Sequence, residues 1–331
     1  MTDIALDDAH VGERWVLRHR LSDGSATDVI GWLMALAPAS VLLQTENGEH
    51  ITVDRATIVV AKRAPAARGG PDPHRVSADE LEWAALPGWV ALSEPLGEWT
   101  LRAGGGFTGR ANSALAVGDP GVSLAEAADR VIAYAGRHGI ATWAQVIVGS
   151  DVEAGLGHLG WRPVYVVTDV LVCRLTTLLD DGLPDPRVQI DTDLTSAWWD
   201  AYGRSRPNDS DPSMLRMMLE GHPPRAFASV RGSATGDLVG IARGHIGGFW
   251  LGIASVWVGP DARRQGLATT MMRALGHWAA RQGARYAYLQ VAQENTDAHA
   301  AYGRLGFVLH HSYRYLQAPD GRSTEPDQNG T

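Results

Sequence analysis

The sequence has few of the residues on which several protein classes depend. Its 331 residues include one cysteine, and Lys62 is the only lysine among 29 basic residues. A single thiol cannot form a disulfide within the chain, so nothing indicates a disulfide-stapled secreted fold. That thiol, Cys173, lies in the apolar run 170–175, which favours a buried structural role over a nucleophilic one. The near absence of lysine is a compositional bias, since arginine takes its place.

Long apolar runs and an excess of positive charge are also missing. The longest apolar stretch, 29–43, is too short to span a bilayer and contains Pro38. The first eight residues lack the basic and apolar regions of a secretory signal, so we expect a cytoplasmic protein without a membrane partner. The formal net charge of −8 argues against a general nucleic-acid binder, and we expect no nucleic-acid partner.

The length suggests two or three domains, and the first is rich in strands. Short β-branched and aromatic runs occupy 14–21, 29–36, 41–45, 51–54 and 58–61. Asn47-Gly48 is a strong hairpin signal between the third and fourth runs. Residues 1–63 therefore predict a small β-barrel, similar to Src-homology-3-like barrels. Because no basic patch stands out, packing or oligomerisation is favoured there over peptide or nucleic-acid binding.

Two segments read as irregular. Residues 64–77 contain several prolines and glycines without periodicity and predict a linker. The polar tail 318–331 predicts disorder. The glycine-rich stretch 104–111 superficially resembles a phosphate loop. After its last glycine, however, it lacks the lysine and the Ser/Thr that such a loop needs. A hairpin connection is the favoured interpretation of that stretch.

The most informative stretch runs from Val256 to Thr270. An alternating apolar strand ends at Gly259-Pro260, and apolar residues at spacings of three and four predict a helix from about residue 265. The turn between them carries Arg263-x-x-Gly266-x-Ala268. The first amides of a helix lack internal partners and lie at the positive end of its dipole, so such a turn is suited to a pyrophosphate.

An earlier segment has the same order of features. Val117-Gly118 leads into a helix that ends near Arg137, and Val258-Gly259 leads into one that ends near Arg281. Each is followed by a strand, a short helix, a Gly-x-Leu-Gly-aromatic signature and an apolar strand. The earlier segment is three residues shorter at the turn (20 from 117 to 137, against 23 from 258 to 281) and lacks its arginine. It also has Leu156 where the later segment has Tyr302, so the earlier copy keeps the scaffold and lacks the site.

The later strand, turn and helix resemble motif A of the GNAT superfamily of acetyl-CoA-dependent N-acetyltransferases, Arg/Gln-x-x-Gly-x-Gly/Ala. The resemblance covers residues 188–317 well and 78–175 weakly. It implies an α+β architecture, in which a small N-terminal β-barrel precedes two GNAT-like mixed α/β units. The first unit, 78–180, would be degenerate, and the second, 188–317, catalytic.

The resemblance also assigns roles to residues. Main-chain groups of Val256, Trp257 and Val258 would contact pantetheine. The pyrophosphate would lie near Arg263, on the amides of Arg264, Gln265, Gly266, Leu267, Ala268 and Thr269. Asn295 matches a CoA-contacting asparagine, although it is equally suited to cap the helix that follows. Tyr302 matches the tyrosine that protonates the departing thiolate, and its ordinary pKa suits that task; the alternative is a core tyrosine.

The general base and the acceptor are less well defined. Many GNAT proteins have a glutamate in the strand before the pantetheine contacts, but residues 250–256 contain no acid. His245 is a candidate substitute, although a histidine within a strand is more often structural. The acceptor would be a small-molecule or peptide amine, with amino sugars as one class. Trp198, Trp199, Tyr202 and the loop 205–211 are candidates to line its site. No metal is expected, and a homo-oligomer is an open alternative.

Two functions follow from these features. The first is an N-acetyltransferase that moves acetyl from acetyl-CoA to an amine by direct attack in a ternary complex. The second is a non-catalytic acyl-CoA sensor with the barrel as its partner-binding module. The phosphate turn serves both functions, whereas Tyr302 and Asn295 favour the enzyme.

Overall fold

The computed structural model describes residues 14–45, 49–64, 72–179, 185–206, 211–232 and 236–319. The Asn47-Gly48 turn, most of the predicted linker, part of the loop 205–211 and nearly all of the predicted disordered tail lie outside these residues. Among the described residues, no helix is both long and apolar enough to cross a membrane.

Five strands come first, and strands and helices are mixed along the rest of the chain. The strands are β1 Arg14–Arg20, β2 Ala26–Leu36, β3 Ser40–Gln44, β4 His50–Asp54, β5 Ile58–Arg63, β6 Leu92–Leu96, β7 Trp99–Ala103, β8 Ala114–Leu115, β9 Trp143–Ile147, β10 Arg162–Arg174, β11 Val188–Asp191, β12 Arg225–Arg231, β13 Leu238–Gly247, β14 Trp250–Val258, β15 Tyr286–Ala292 and β16 Val308–Gln317. The helices are α1 Ala78–Ala85, α2 Leu124–His138, α3 Asp151–His158, α4 Leu175–Leu179, α5 Ser196–Ser205, α6 Pro212–Glu220, α7 Leu267–Arg281 and α8 Thr296–Arg304.

The first five strands form a separate antiparallel sheet in the order β4-β3-β2-β1-β5. Trp15, Leu17, Leu33 and Leu43 are fully buried on one of its faces, as alternation along a strand requires. The predicted small strand-rich domain is therefore confirmed. β2 begins earlier than predicted because its pairing with β1 continues as far as the Arg20 and Ala26 positions.

This small sheet contacts the rest of the molecule through a stacked cation. The Arg285 guanidinium carbon lies 3.8 Å from the Trp32 ring centroid and 4.1 Å from that of Phe249. Arg285 also donates a hydrogen bond to the Thr45 carbonyl oxygen at 3.4 Å. Phe249 immediately precedes β14, so the contact lies at the opposite end of that strand from the predicted phosphate turn.

The remaining strands form one sheet of eleven, in the order β11-β12-β13-β14-β15-β10-β16-β9-β8-β7-β6. The pairs β14–β15 and β8–β9 are parallel and the others antiparallel. These two parallel pairs occupy corresponding places in the two predicted copies. Within each copy the second strand of the pair follows a long helix, α7 or α2.

The last strands of the two copies are exchanged within this sheet. β10 ends the first copy but pairs with β15 of the second, from Thr168 opposite Ala292 to Arg174 opposite Tyr286. β16 ends the second copy but pairs with β9 of the first. β10 and β16 also pair with each other and join the two halves at the centre. The two predicted units therefore share one continuous sheet.

Helices cover both faces of the large sheet. Met271, Met272, Leu275 and Trp278 of α7 pack on one face with residues of β10, β12 and β15. Leu81 and Ala85 of α1 pack on the other face against tyrosines of β15 and β16. Ser77 and Glu80 form a capping box at the start of α1.

Two strands of the first half, β8 and β6, are short or lie at the edge of the large sheet. β8 is only Ala114–Leu115, because residues 109–111 form a short 3-10 turn. β6 was not predicted, since it contains Pro95 and exposes most of its side chains, as an edge strand can. The predicted hairpin connection between β7 and β8 is confirmed.

Candidate active site

Two parallel strands part at the place where the predicted CoA contacts lie. β14 and β15 pair from Trp250 opposite Tyr286 to Ile253 opposite Leu289. Both strands continue beyond these positions without pairing with each other, so a cleft opens between them. Val256, Trp257 and Val258 lie along it and are half-buried. Main-chain donors and acceptors that a neighbouring strand would otherwise occupy are therefore available on this stretch of β14.

A bulge in β14 accompanies the opening. The register between β13 and β14 shifts between Ile241, which faces Trp257, and Arg243, which faces Ala254. Ser255 lies in the extra stretch, is 3% exposed and has a φ of +55°. A non-glycine residue in this region is strained, by about 1–2 kcal/mol, and such strain persists where the surroundings impose it.

The predicted phosphate turn leads into a helix whose first turn is open. Gly266 is the N-cap of α7 with a φ of +74°, and no side chain caps the helix. Among the described helices of eight or more residues, α7 differs in this respect. The others are capped by Ser77, Ser123, Ser150, Thr195, Asp211 and Asn295. The first-turn amides of α7 are thus left for an external anion.

The space around this turn is open as well. A Cβ added to Gly266 would meet no atom within 4 Å. Arg263 and Arg264 are exposed, and the Arg263 Nε donates to the Val258 carbonyl oxygen at 3.2 Å, which holds the turn against the end of β14. Beside the turn lies a cavity of about 720 Å³, which Gln265 and Leu267 line together with residues at the ends of β12 and β13 such as Arg231 and Leu238. The residues of the turn fit the pyrophosphate of a CoA thioester.

The corresponding turn of the first half is filled by its own acids. The Asp119 amide donates to Glu98 Oε2 at 2.6 Å, and the Gly121 amide donates to Asp119 Oδ1 at 2.8 Å. Ser123 caps the helix that follows. Carboxylates therefore take the place that a phosphate would need, and they would repel it.

Tyr302 packs on the α7 face of the sheet, against the same core as Val256 and Val258. Its ring lies 6.1 Å from that of Phe307 in an edge contact. Burial raises the pKa of Tyr302, and the positive charge of Arg206 partly offsets this. The phenol therefore keeps its proton at neutral pH, as a general acid requires. Leu156, its counterpart in the first half, is fully buried and apolar.

Asn295 caps α8, which is one of the two roles predicted for it. Its Oδ1 accepts a hydrogen bond from the Ala298 amide at 3.1 Å. The side-chain amide still has its NH₂ donors, so capping is compatible with a contact to CoA.

His245 is in the wrong environment for a general base. It is 1% exposed, and a Cβ on either Gly88 or Gly252 would collide with its ring. Its Nε2 shares a hydrogen bond of 2.7 Å with the Tyr288 hydroxyl, which is also buried. Burial, together with the positive charge of Arg243, lowers the pKa of His245 to about 3. This histidine is a core residue that stays neutral.

The buried histidine predicts an acid-labile contribution to stability. In the unfolded chain the His245 ring takes up a proton as the pH falls through its ordinary pKa of 6.5, whereas in the folded chain it does so only near pH 3. The free energy of unfolding therefore decreases as the pH falls through that window. From about pH 7 to about pH 5 the expected loss is about 2 kcal/mol. Urea unfolding at both pH values measures it. His245→Gln should be less stable overall but lose this pH dependence, and an unchanged dependence would contradict the assignment.

The predicted acceptor-lining aromatics lie mainly in the core. Trp198 and Tyr202 are each 1% exposed, and the Trp198 indole donates to the Ala228 carbonyl oxygen at 3.1 Å. Trp199 is half-buried beside them. This placement favours a supporting role for Trp198 and Tyr202. Arg206 belongs to the loop 205–211 that was predicted to line the acceptor site, and it is buried. Ser255 was not predicted as a site residue, because its residue type gives no indication of a positive φ.

The parallel strands β14 and β15 part beside the open N-terminus of α7, and Tyr302 lies on the next helix, α8. This arrangement is that of an N-acetyltransferase of the GNAT class. A family model described as "Probable histone acetyltransferase Rv0428c C-terminal" matches residues 78–316, and the chain belongs to that family. A second model, "Rv0428c N-terminal Sm-like domain", matches residues 9–62. The sequence pattern of the small sheet is similar to that of Src-homology-3-like barrels, and the family that this part of the chain matches is an Sm-like domain.

Individual relatives agree with this assignment. The chain is 29% identical over 321 residues to the "Probable histone acetyltransferase Rv0428c" of Mycobacterium tuberculosis, covering 93% of this chain and 95% of the relative. It is 37% identical over 65 residues to the "Uncharacterized N-acetyltransferase YobR" of Bacillus subtilis, covering 19% and 26%. A GCN5-related N-acetyltransferase from Kribbella flavida shares the fold, with a TM-score of 0.52, 19% identity and coverage of 74% and 98%.

Proposed function

We propose that this N-acetyltransferase takes acetyl from acetyl-CoA and passes it to a primary amine by direct attack, with Tyr302 as general acid. The observation that carries the proposal is the uncapped N-terminus of α7 directly beside the strands that part. The open amides suit the pyrophosphate, and the unpaired edge of β14 suits the pantetheine and thioester. One end of the cleft thus favours phosphate and the other a thioester.

The chemistry assigns a distinct task to each group. The amine nitrogen attacks the thioester carbonyl carbon, and a C–N bond forms. As the C–S bond breaks, the sulfur takes the Tyr302 proton, and the amine releases its extra proton to water. The Tyr302 phenolate then regains a proton from water. Main-chain amides of β14 beyond the bulge can donate to the carbonyl oxygen as negative charge develops there. A protonated phenol near the sulfur avoids the release of a free thiolate.

Replacing Tyr302 with phenylalanine tests the general acid. Tyr302→Phe should lower kcat by about 10²–10⁴ and leave acetyl-CoA affinity within about twofold, because only the proton donor is lost. Tyr134→Phe is the matched control. Tyr134 lies in the first half, and its buried hydroxyl makes no hydrogen bond within the described part of the chain. Turnover of Tyr302→Phe within about twofold of wild type would make Tyr302 a packing residue.

The acceptor class follows from the missing base. No carboxylate lies in residues 250–256, and His245 is sealed in the core. A lysine-type amine with a pKa of about 10.4 is about 0.04% neutral near pH 7, whereas an α-amine with a pKa near 8 is about 10% neutral. The proposed acceptor is therefore a low-pKa amine on a small molecule or peptide. The net charge of −8 favours acceptors with positive groups elsewhere.

A panel of amines tests both the reaction and this preference. Thiol release from acetyl-CoA should be fastest with α-amines, amino sugars or arylamines, and slower with an Nα-blocked lysine peptide. A free lysine ε-amine as the best acceptor near neutral pH would contradict the preference. Binding of acetyl-CoA without turnover on any amine would instead support a non-catalytic sensor.

A further inference from the structure

The strained residue in β14 needs a partner that holds it. Ser255 is buried with a φ of +55°, at the point where the strand leaves its neighbour β15. Without a constraint, a serine here would relax toward ordinary extended backbone, and the main chain of the next three residues would rotate. Those residues are Val256, Trp257 and Val258, which line the cleft.

Tyr202 of α5 supplies such a constraint. Tyr202 belongs to a buried cluster against which Ala254 and Trp257, the residues on either side of the bulge, are packed. The Arg206 guanidinium carbon lies 5.6 Å from the Tyr202 ring centroid. Burial raises the pKa of Tyr202, while the neighbouring Arg206 and Ser255 lower it. The phenol thus links the end of α5 to the bulge.

Two aromatic rings hold Tyr202 in turn, and one comes from the first half. The Trp198 ring stacks on it at 5.4 Å with an interplanar angle of 15°. The Phe107 ring meets it edge-on at 6.2 Å and 62°. Phe107 is 4% exposed and belongs to the glycine-rich stretch 104–111 between β7 and β8.

The glycine-rich stretch is built to deliver this ring. Asn112 Oδ1 accepts from the amides of Gly104 and Gly106 at 2.7 and 2.9 Å, and its Nδ2 donates to the Thr108 carbonyl oxygen at 3.0 Å. A Cβ on Gly105 would approach the Met214 Cβ to 3.0 Å, so the stretch lies directly against α6. It therefore crosses from the first half into the core of the second.

We propose that Tyr202 is a positioning residue that holds the Ser255 bulge and thereby sets the cleft edge of β14, and that Phe107 of the first half holds Tyr202. The inference rests on the proposed acetyl transfer in this cleft. It gives the first half a part in turnover without a CoA site of its own. It also explains the glycine-rich stretch, which no phosphate contact requires.

Substitutions at both ends of the Tyr202–Ser255 contact test the proposal. Tyr202→Phe and Ser255→Ala should each lower kcat by about tenfold, because small displacements of catalytic groups are costly, with acetyl-CoA affinity within about twofold. Ser255→Gly also lacks the hydroxyl but takes a positive φ without strain. It should keep kcat within about threefold of wild type, and Tyr202→Phe/Ser255→Gly should do the same.

Phe107→Leu tests the link to the first half. It should lower kcat by about three- to tenfold in the wild-type chain and have little effect in the Tyr202→Phe/Ser255→Gly chain, where the bulge no longer needs support. Thermal unfolding of each variant identifies loss of folded protein. Failure of glycine to rescue, or a normal kcat for Tyr202→Phe, would overturn the inference. If Tyr302→Phe is also fully active, the proposed function has failed; if Tyr302→Phe is impaired, only the inference has.

Discussion

A chain that lacks residues 78–175 is expected to be insoluble and inactive, although it keeps every residue of the predicted catalytic unit. The deletion removes β10, which pairs with β15 over seven positions and separates β15 from solvent. It also removes β9, so β16 loses the neighbours on both sides. The apolar edge of β15 would then be exposed, and such edges pair with other chains.

The core of the second half would be opened as well. Leu171, Cys173 and Leu175 belong to the cluster that packs under α7, and all three lie within the deleted segment. Each buried aliphatic side chain contributes roughly 1.5–3 kcal/mol, and a domain is stable by only about 5–15 kcal/mol. Loss of several such side chains, together with a strand ladder, exceeds that margin.

Deletion of the small sheet is the control for this experiment. A chain that begins at residue 72 loses the Trp32 contact with Arg285 and Phe249 but no strand of the large sheet. It should remain soluble and retain turnover. Soluble expression and thiol release from acetyl-CoA distinguish the two deletions. A soluble and fully active 188–331 fragment would show that the exchanged strands are dispensable.

Local features of the site could be predicted from the sequence, because each depends on residues close together in the chain. The turn at Gly266 and the amphipathic helix after it require only spacing and side-chain size. The Asn295 cap is equally local, and it is present. The difference between the two turns was visible as three missing residues, and the structure adds that Glu98 and Asp119 fill the shorter one.

Features that depend on distant partners could not be predicted in this way. β10 and β16 are both apolar strands that end a copy, and nothing in either sequence states which copy each will join. The positive φ of Ser255 occurs inside a strand and at an ordinary serine, so no local sequence pattern indicates it. His245 is a further example. Its residue type suggested a general base, but the structure buries it in the core.

The prediction that most directly tests the cofactor site is loss of acetyl-CoA binding in Gly266→Glu. The left-handed φ of +74° adds a strain of about 1–2 kcal/mol, partly offset because an acid is favourable at a helix N-terminus. The chain should therefore stay folded. Since a Cβ at Gly266 faces open space, the carboxylate can reach the amides that the pyrophosphate needs and repel its charge.

Two matched variants separate charge from bulk and one copy from the other. Gly266→Asn adds a side chain that tolerates this φ without a charge, so it should weaken binding less than the glutamate does. Gly121→Glu places the same acid in the first half's turn, where φ is +71° and the nearest atom to an added Cβ is 3.7 Å away. Calorimetric titration should give one equivalent of acetyl-CoA for wild type and for Gly121→Glu, and no binding for Gly266→Glu. Affinity of Gly266→Glu within about threefold of wild type would remove α7 as the pyrophosphate site. Two equivalents in the wild-type chain would contradict the prediction of a single site, because the open first turn of α7 is what distinguishes the two halves.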